Sequence, residues 1–197
     1  MSAICVNFYA LLWRDYVNKI SVGLSAILLF AFGAGAQQAA APSENSITDA
    51  ARKLETQMAK NVPTGAEEMP AEKYDFRPTP GQNTFGHLVG HMISANYYLC
   101  SAISGAEMPK FNRPQDSDKK DALTAELKTS FDYCTSSLAN VKDSDLSQPA
   151  KVGPPGSTRG SMLVTFAEDY GDHYAQESSY LRAAGLLPPT AQPKPGR

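Results

Sequence analysis

Apolar residues recur along this chain at helical rather than strand spacing. Ile47, Ala51, Leu54 and Met58 follow one another at intervals of four, three and four. That period marks one face of an amphipathic helix, predicted here over residues 46–61, with Ser46 and Asp49 as a capping-box-like pair at its start. A second stripe, Phe85, Leu88, Met92, Ala95, Leu99 and Ile103, predicts a helix over 84–104 that Gly105 ends. The third runs through Leu123, Leu127, Phe131, Cys134 and Leu138 from a start near Asp118. The fourth, over 160–184, carries Met162, Leu163, Phe166, Tyr170, His173, Tyr174, Tyr180 and Leu181 on its inner side. Gly185, Leu186 and the Pro188-Pro189 pair then spell a helix stop.

Breakers separate these stripes. Pro63, Pro70, Pro78 and Pro80, with Gly65 and Gly81, predict that residues 62–82 stay out of helix. Residues 108–115 read as a loop, and residues 141–160 as a polar connection containing Pro and Gly. No sustained period-two alternation appears, so the expected fold is all-α, a four-helix bundle over residues 46–189. Within the second helix, Gly86 and Gly90 each cost about 1 kcal/mol relative to alanine, which points to close approach by a neighbouring helix.

The N-terminal third has a different character. Residues 20–32, ISVGLSAILLFAF, form an apolar run preceded by Arg14 and Lys19 and followed by Ala34-Gly35-Ala36. A basic flank, a short apolar run and a small-residue triplet describe a secretory signal peptide over residues 1–36, cleaved after Ala36. The run is short of the roughly 20 apolar residues that span a bilayer, so no stable membrane anchor is expected after cleavage. Gln37, not a cysteine, stands directly after the cleavage site, which disfavours a lipid-anchored form. Residues 37–45 read as a flexible leader and 190–197 as a disordered tail, and the expected location is periplasmic or extracellular.

Charge excludes one class of partner. Removing Arg14, Lys19 and Asp15 from a total of 18 basic and 20 acidic residues leaves a net charge near −3. No basic patch stands out, so nucleic acid is not an expected partner. Cys100 and Cys134 remain after Cys5 leaves with the signal. In an exported chain they could pair, or they could be two buried free thiols.

The chemistry worth weighing lies in FGHLVGHMISANYYLC, residues 85–100, which holds two of the three histidines. His87 and His91 are four apart and share a helix face; Asp169 and His173 repeat that spacing on the last helix. His173 falls within the apolar stripe and His91 between Leu88 and Ala95, so both are expected to point inward. Two imidazoles and a carboxylate suit zinc, nickel or iron(II), with positions left for water or substrate. Equally, such a pair can be structural, with His173 donating to a carbonyl or a tyrosine and Asp169 solvated beside Glu168 and Asp172. No phosphate-cradling loop, nucleotide fingerprint or serine triad is present, and neither cysteine has a basic neighbour that would activate it.

The segments GHLVGHMISANYYLCSAISG, MPAEKYDFRPTPGQNTF and DHYAQESSYLRAAGLLPP together resemble the DinB-like superfamily, over about residues 45–190. The resemblance is nearest to exported bacterial members. It implies an up-down-down-up four-helix bundle and, in many members, a three-histidine site for a divalent metal. Matched by position, His91 stands for the second-helix ligand and His173 for the second histidine of the fourth-helix pair. The first histidine of that pair falls at Asp169, a departure from the pattern; His87, one turn away at a position where the family requires no histidine, could add a compensating ligand or be a polar rim residue. The resemblance further implies metal-dependent hydrolase or transferase chemistry on a small molecule, as in relatives that use low-molecular-weight thiols. The altered ligand equally admits a binding or structural bundle without metal. Homodimerisation is the other association such bundles show.

Overall fold

The computed structural model of the protein describes residues 43–193. The expected signal segment, most of the leader and the last residues of the tail lie outside that span. Four helices, α1 (Ser46–Glu68), α2 (Phe85–Ser104), α3 (Lys120–Leu138) and α4 (Arg159–Ala183), are joined by connections carrying two 3-10 turns, Ala71–Lys73 and Asp143–Asp145. A third turn, Pro189–Ala191, follows α4 at the beginning of the tail. Among the described residues there is no β-strand, only an isolated bridge between Pro149 and Thr158. No helix among them is long and apolar enough to cross a membrane.

α1 departs from the sequence expectation at both ends. It continues past Asn61 to Glu68, with Pro63 and Gly65 inside it. A proline inside a helix leaves the carbonyl four residues earlier without its N–H and costs ~3 kcal/mol. Burial outweighs that cost here: Val62 is 2 % exposed, and Ala66 and Met69 are fully enclosed. The Thr64 hydroxyl also takes up the Lys60 carbonyl beside the break, at 2.7 Å. At the other end, Ser46 is already helical and caps nothing. The first-turn N–H groups of Ile47 and Thr48 instead donate to the Asp143 carboxylate, at 3.0 and 2.8 Å. Asp49 is occupied with Arg52, 2.6 Å away.

The remaining boundaries follow local chemistry. Thr84 accepts from the His87 N–H at the start of α2, and Gly105 closes that helix in the left-handed region at φ 73°. Thr158 and Ser161 satisfy one another's backbone N–H at the start of α4. After Ala183, the Gly185 N–H donates to the Arg182 carbonyl and the Leu186 N–H to that of Leu181, closing the helix in the pattern its Gly-Leu-Leu-Pro-Pro sequence signals.

Contacts at the helix ends establish the course of the chain. The Tyr74 hydroxyl donates to the Ala66 carbonyl near the end of α1, while the Gly86 N–H at the start of α2 donates to the Tyr74 carbonyl. The Lys120 ammonium, opening α3, reaches the Glu67 and Met69 carbonyls at that same end. The Tyr180 hydroxyl, late in α4, donates to the Asn83 carbonyl there too. At the opposite end, Arg52 early in α1 donates to the carbonyls of Leu138 and Val141. α1 therefore runs up, α2 and α3 down, and α4 up. α2 packs on α3 and α4, and α1 on α3 and α4, which leaves α1 and α2 diagonal.

Two consecutive helices that both run down require a return connection, and residues 105–119 supply it along the outside of α2. A Cβ on Gly90 would lie 2.8 Å from the Pro114 Cβ, and one on Gly86 would lie 3.3 Å from the Tyr74 carbonyl oxygen. The α2 glycines thus admit connecting segments first; the expected neighbouring helix enters only as Leu123 of α3, 3.6 Å from the Gly86 position. Phe85, Phe166, Ile93, Leu127 and Leu181 are among the largest fully enclosed side chains of the single core. Within it Cys100 of α2 and Cys134 of α3 form a disulfide with a sequence separation of 34. In the chain-entropy account a loop of that length stabilises by roughly 4 kcal/mol.

Candidate functional site

α2 and α4 pack side by side, and their facing residues bring His91, Asp169 and His173 together. The imidazoles of His91 and His173 lie with ring centroids 4.5 Å apart. The Asp169 Oδ1 is 3.3 Å from His173 Nδ1 and 3.9 Å from His91 Nε2. One potential ligand atom from each residue falls within 4.8 Å of the others. Asp169 and His173 owe their proximity to helical spacing alone; His91 arrives from another helix.

Orientation and charge are both defined. His173 Nδ1 sits 2.7 Å from the Asp169 backbone carbonyl, which can only accept, so Nδ1 carries a proton and, in the neutral ring, Nε2 keeps its lone pair. This is the arrangement in which metal-binding histidines are usually held. Burial works to raise the Asp169 pKa, but the hydrogen bond from His173 and the nearby His91 imidazole outweigh it and leave the carboxyl at about 2. The same bond to Asp169 raises His173 against the opposing effect of burial. Asp169 is therefore an anion at neutral pH, and two nitrogen donors beside one carboxylate form a set that fits a divalent transition metal.

His91 differs from its expected position. Its side chain is half exposed, whereas those of Asp169 and His173 are about 16 % and 15 % exposed. It stands on the rim, because Leu88 and Met92 take the buried positions to either side of it on α2. His87 does not join the cluster. Its Nδ1 lies 2.8 Å from Asp116 Oδ1, on the return connection, and both groups are largely solvated. The two histidines of α2 share a face but not a partner.

A cavity of about 350 Å³ opens beside the cluster, lined by His91 and Asp169, by Ala95 and Leu99 of α2, and by Phe111 and Arg113 of the return connection. A larger concavity of about 660 Å³ lies over Tyr97, Tyr133 and Glu126 on the α3 side. It contains no cluster of metal-binding side chains among the described residues. The smaller cavity is the one that His91 and Asp169 line.

Arg113 and Asp116 were invisible to helical periodicity because they lie on a loop. Glu177 was missed for another reason. It continues the inner stripe of α4 through Phe166, Tyr170, His173 and Leu181, where an apolar residue is expected. It is fully enclosed, and neither carboxyl oxygen has a hydrogen-bond partner among the described residues. Burial, with the nearby Glu68 charge, pushes its pKa well above the usual carboxyl range. An acidic residue on an apolar stripe is itself the signal that would have found it.

Comparison with known proteins brings in relatives. The family model of the DinB superfamily matches residues 55–176. Among solved structures, a DinB-like protein from Bacillus cereus ATCC 10987 superposes with a TM-score of 0.59 at 15 % identity, over 72 % of this chain and 95 % of that one. A conserved protein from Enterococcus faecalis gives a TM-score of 0.55 at 17 % identity, over 69 % of this chain and 95 % of its own. At these identities the likeness is one of fold. No functionally curated protein matches the chain.

Proposed function

For a chain that belongs to the DinB superfamily, and whose α2 and α4 bring His91, Asp169 and His173 together, we propose a divalent-metal-binding protein acting on a small molecule by hydrolase or transferase chemistry. One observation carries this reading: three donor atoms of a suitable set within 4.8 Å of one another, beside a cavity large enough for a ligand. His91, Asp169 and His173 would hold zinc, nickel or iron(II), with His173 oriented by its bond to the Asp169 carbonyl. Such an ion, when bound, lowers the pKa of a coordinated water or thiol and polarises a substrate oxygen. His91 on the rim leaves the cluster open toward the cavity, so a substrate reaches it without a rearrangement of the core. Asp169 in place of a third histidine adds one negative charge to the ligand set and favours a metal that accepts oxygen donors.

The same residue favours a second reading, a bundle that binds no metal. In it, Asp169 and His173 are an ion pair that satisfies itself, and His91 is a solvated neighbour. Metal analysis of the untagged protein separates the two, with His91→Ala and His173→Ala alongside. The first reading expects about one metal per chain and at least a tenfold loss of affinity in each variant. Metal well below one per chain, equal in all three proteins and not restored by added zinc or nickel, leaves the second.

As to location, we infer an exported protein. The apolar run after Arg14 and Lys19 and the Cys100–Cys134 disulfide both fit an oxidising compartment. Alkylation under denaturing conditions, after acid quenching of the cells, tests this: two cysteines that label only after reduction agree with export, and free labelling of both without reduction overturns it.

A further inference from the structure

The lining of the cavity beside the cluster is chemically mixed. Ala95, Leu99, Met108 and Phe111 make part of it apolar. Among the described residues that line it there is one permanent cation, Arg113, on the return connection. Arg113 also lines a second cavity, of about 300 Å³, together with His91, Gly90 and Pro114. Its guanidinium makes no ion pair and no side-chain hydrogen bond among the described residues. The nearest acidic residue in sequence, Asp116, is engaged with His87.

A guanidinium free of protein partners at the mouth of an apolar cavity is complementary to an anion carried on an apolar body. Arginine holds a carboxylate through two parallel hydrogen bonds. The charge count argues for one negative charge rather than two. Among the described residues Arg113 is the only fixed cation lining the cavity, and the Asp169 carboxylate lines it too. In the metal-free cavity a doubly charged phosphoryl group would face that carboxylate with a single cation to offset both. The cavity volume is near the lower end of the roughly 300–1,000 Å³ typical of small-ligand sites, which limits the apolar part to about one ring or a short chain.

We propose that this cavity binds an amphipathic monocarboxylate, its apolar portion against Leu99 and Phe111 and its carboxylate on Arg113. The assignment rests on the proposed metal reading for what then happens to the ligand, but its recognition elements lie outside the metal-binding set. Arg113 is here a specificity residue, and Ala95 is the position at which the apolar half can be filled.

Calorimetric titration with 4-phenylbutyrate and its uncharged analogue 4-phenylbutyramide tests the assignment, on the untagged chain with and without zinc. Zinc occupancy is measured on the same samples by native mass spectrometry. The acid should bind at least tenfold more tightly than the amide. Arg113→Gln, a change on an exposed loop, should bring that ratio close to one while leaving zinc occupancy unchanged. Ala95→Phe should weaken both ligands at least tenfold. Equal affinity for acid and amide overturns the assignment, as does an acid preference that survives Arg113→Gln. If zinc is retained but the acid does not bind, the cavity assignment falls and the metal reading stands. If zinc is not retained but the Arg113-dependent preference persists, the metal reading falls and the cavity assignment stands.

Discussion

Glu177→Gln replaces a buried carboxyl with a neutral amide of nearly the same shape, and its effect should depend on pH in a defined direction. Burial foremost, and then the charge of Glu68, raise the folded-state pKa of Glu177 above the ordinary value of 4.5. Below pH 4.5 both the folded and the unfolded chain carry this proton, so the group contributes no pH dependence. Above it the unfolded chain releases the proton while the folded chain keeps it. Wild-type stability then falls by ~1.4 kcal/mol per pH unit until the folded carboxyl itself titrates. If the folded chain holds the proton throughout, the interval from pH 4.5 to 6.5 amounts to ~2 kcal/mol, because the unfolded carboxyl is already half ionised at its start. Glutamine has no such slope. Its two N–H donors would be buried without partners at a cost of ~1–3 kcal/mol, but that cost does not vary with pH. Glu55, a second buried carboxyl raised by desolvation and partly relieved by the Thr135 hydroxyl, is present in both proteins and cancels in the difference. Urea unfolding of both proteins at pH 4.5, 5.5 and 6.5, with the disulfide intact, gives the two curves. The variant should gain on the wild type steadily across the series. A difference that stays flat within error would mean that Glu177 is ionised in the folded state, and would refute the reasoning.

Two further substitutions probe the packing around α1. Gly65→Ala places a methyl 2.8 Å from a Glu177 carboxyl oxygen and should destabilise by ~1–3 kcal/mol through overpacking. The loss should shrink when Glu177 is also shortened to alanine, and additive losses in urea unfolding would show that the two positions do not touch. Asp143→Ala removes the carboxylate that accepts from Ile47 and Thr48 and should cost ~0.5–2 kcal/mol. Hydrogen exchange should accelerate first at those two amides, and unchanged protection there would remove Asp143 from the role of a cap.

Much of this architecture is written in local patterns. Three of the four helices end within two residues of where periodicity and turn chemistry place them, and in α2 and α4 this is because Thr84, Gly105, Thr158 and Gly185 act on their immediate neighbours. α1 was less legible. Pro63 and Gly65 argue locally against helix, and only the burial of Val62, Pro63 and Ala66 against the rest of the bundle decides otherwise. The candidate site divides the same way. The proximity of Asp169 and His173 follows from a spacing of four on one helix, but the approach of His91 depends on which helices are neighbours. That order came from resemblance to a family, not from periodicity. The unequal roles of His87 and His91 depend on the path of residues 105–119 over α2, and no periodic pattern reports the path of a loop. Glu177 needed the opposite habit of reading, attention to the residue that breaks an apolar stripe rather than to those that make it.

The Asp143 cap also bears on the order in which the molecule can be made. Synthesis proceeds from the N-terminus, and at roughly 5–20 residues per second the 95 residues from Thr48 to Asp143 occupy ~5–20 s. During that interval the nascent α1 has only water for its first-turn amides. Pro63 interrupts its far end, and the surfaces that bury Val62 and Ala66 have not all been translated. Its helical state is thus conferred late, by residues at the other end of the message. A nascent chain halted before residue 143 holds this segment without its cap, open to whatever handles unfolded polypeptide.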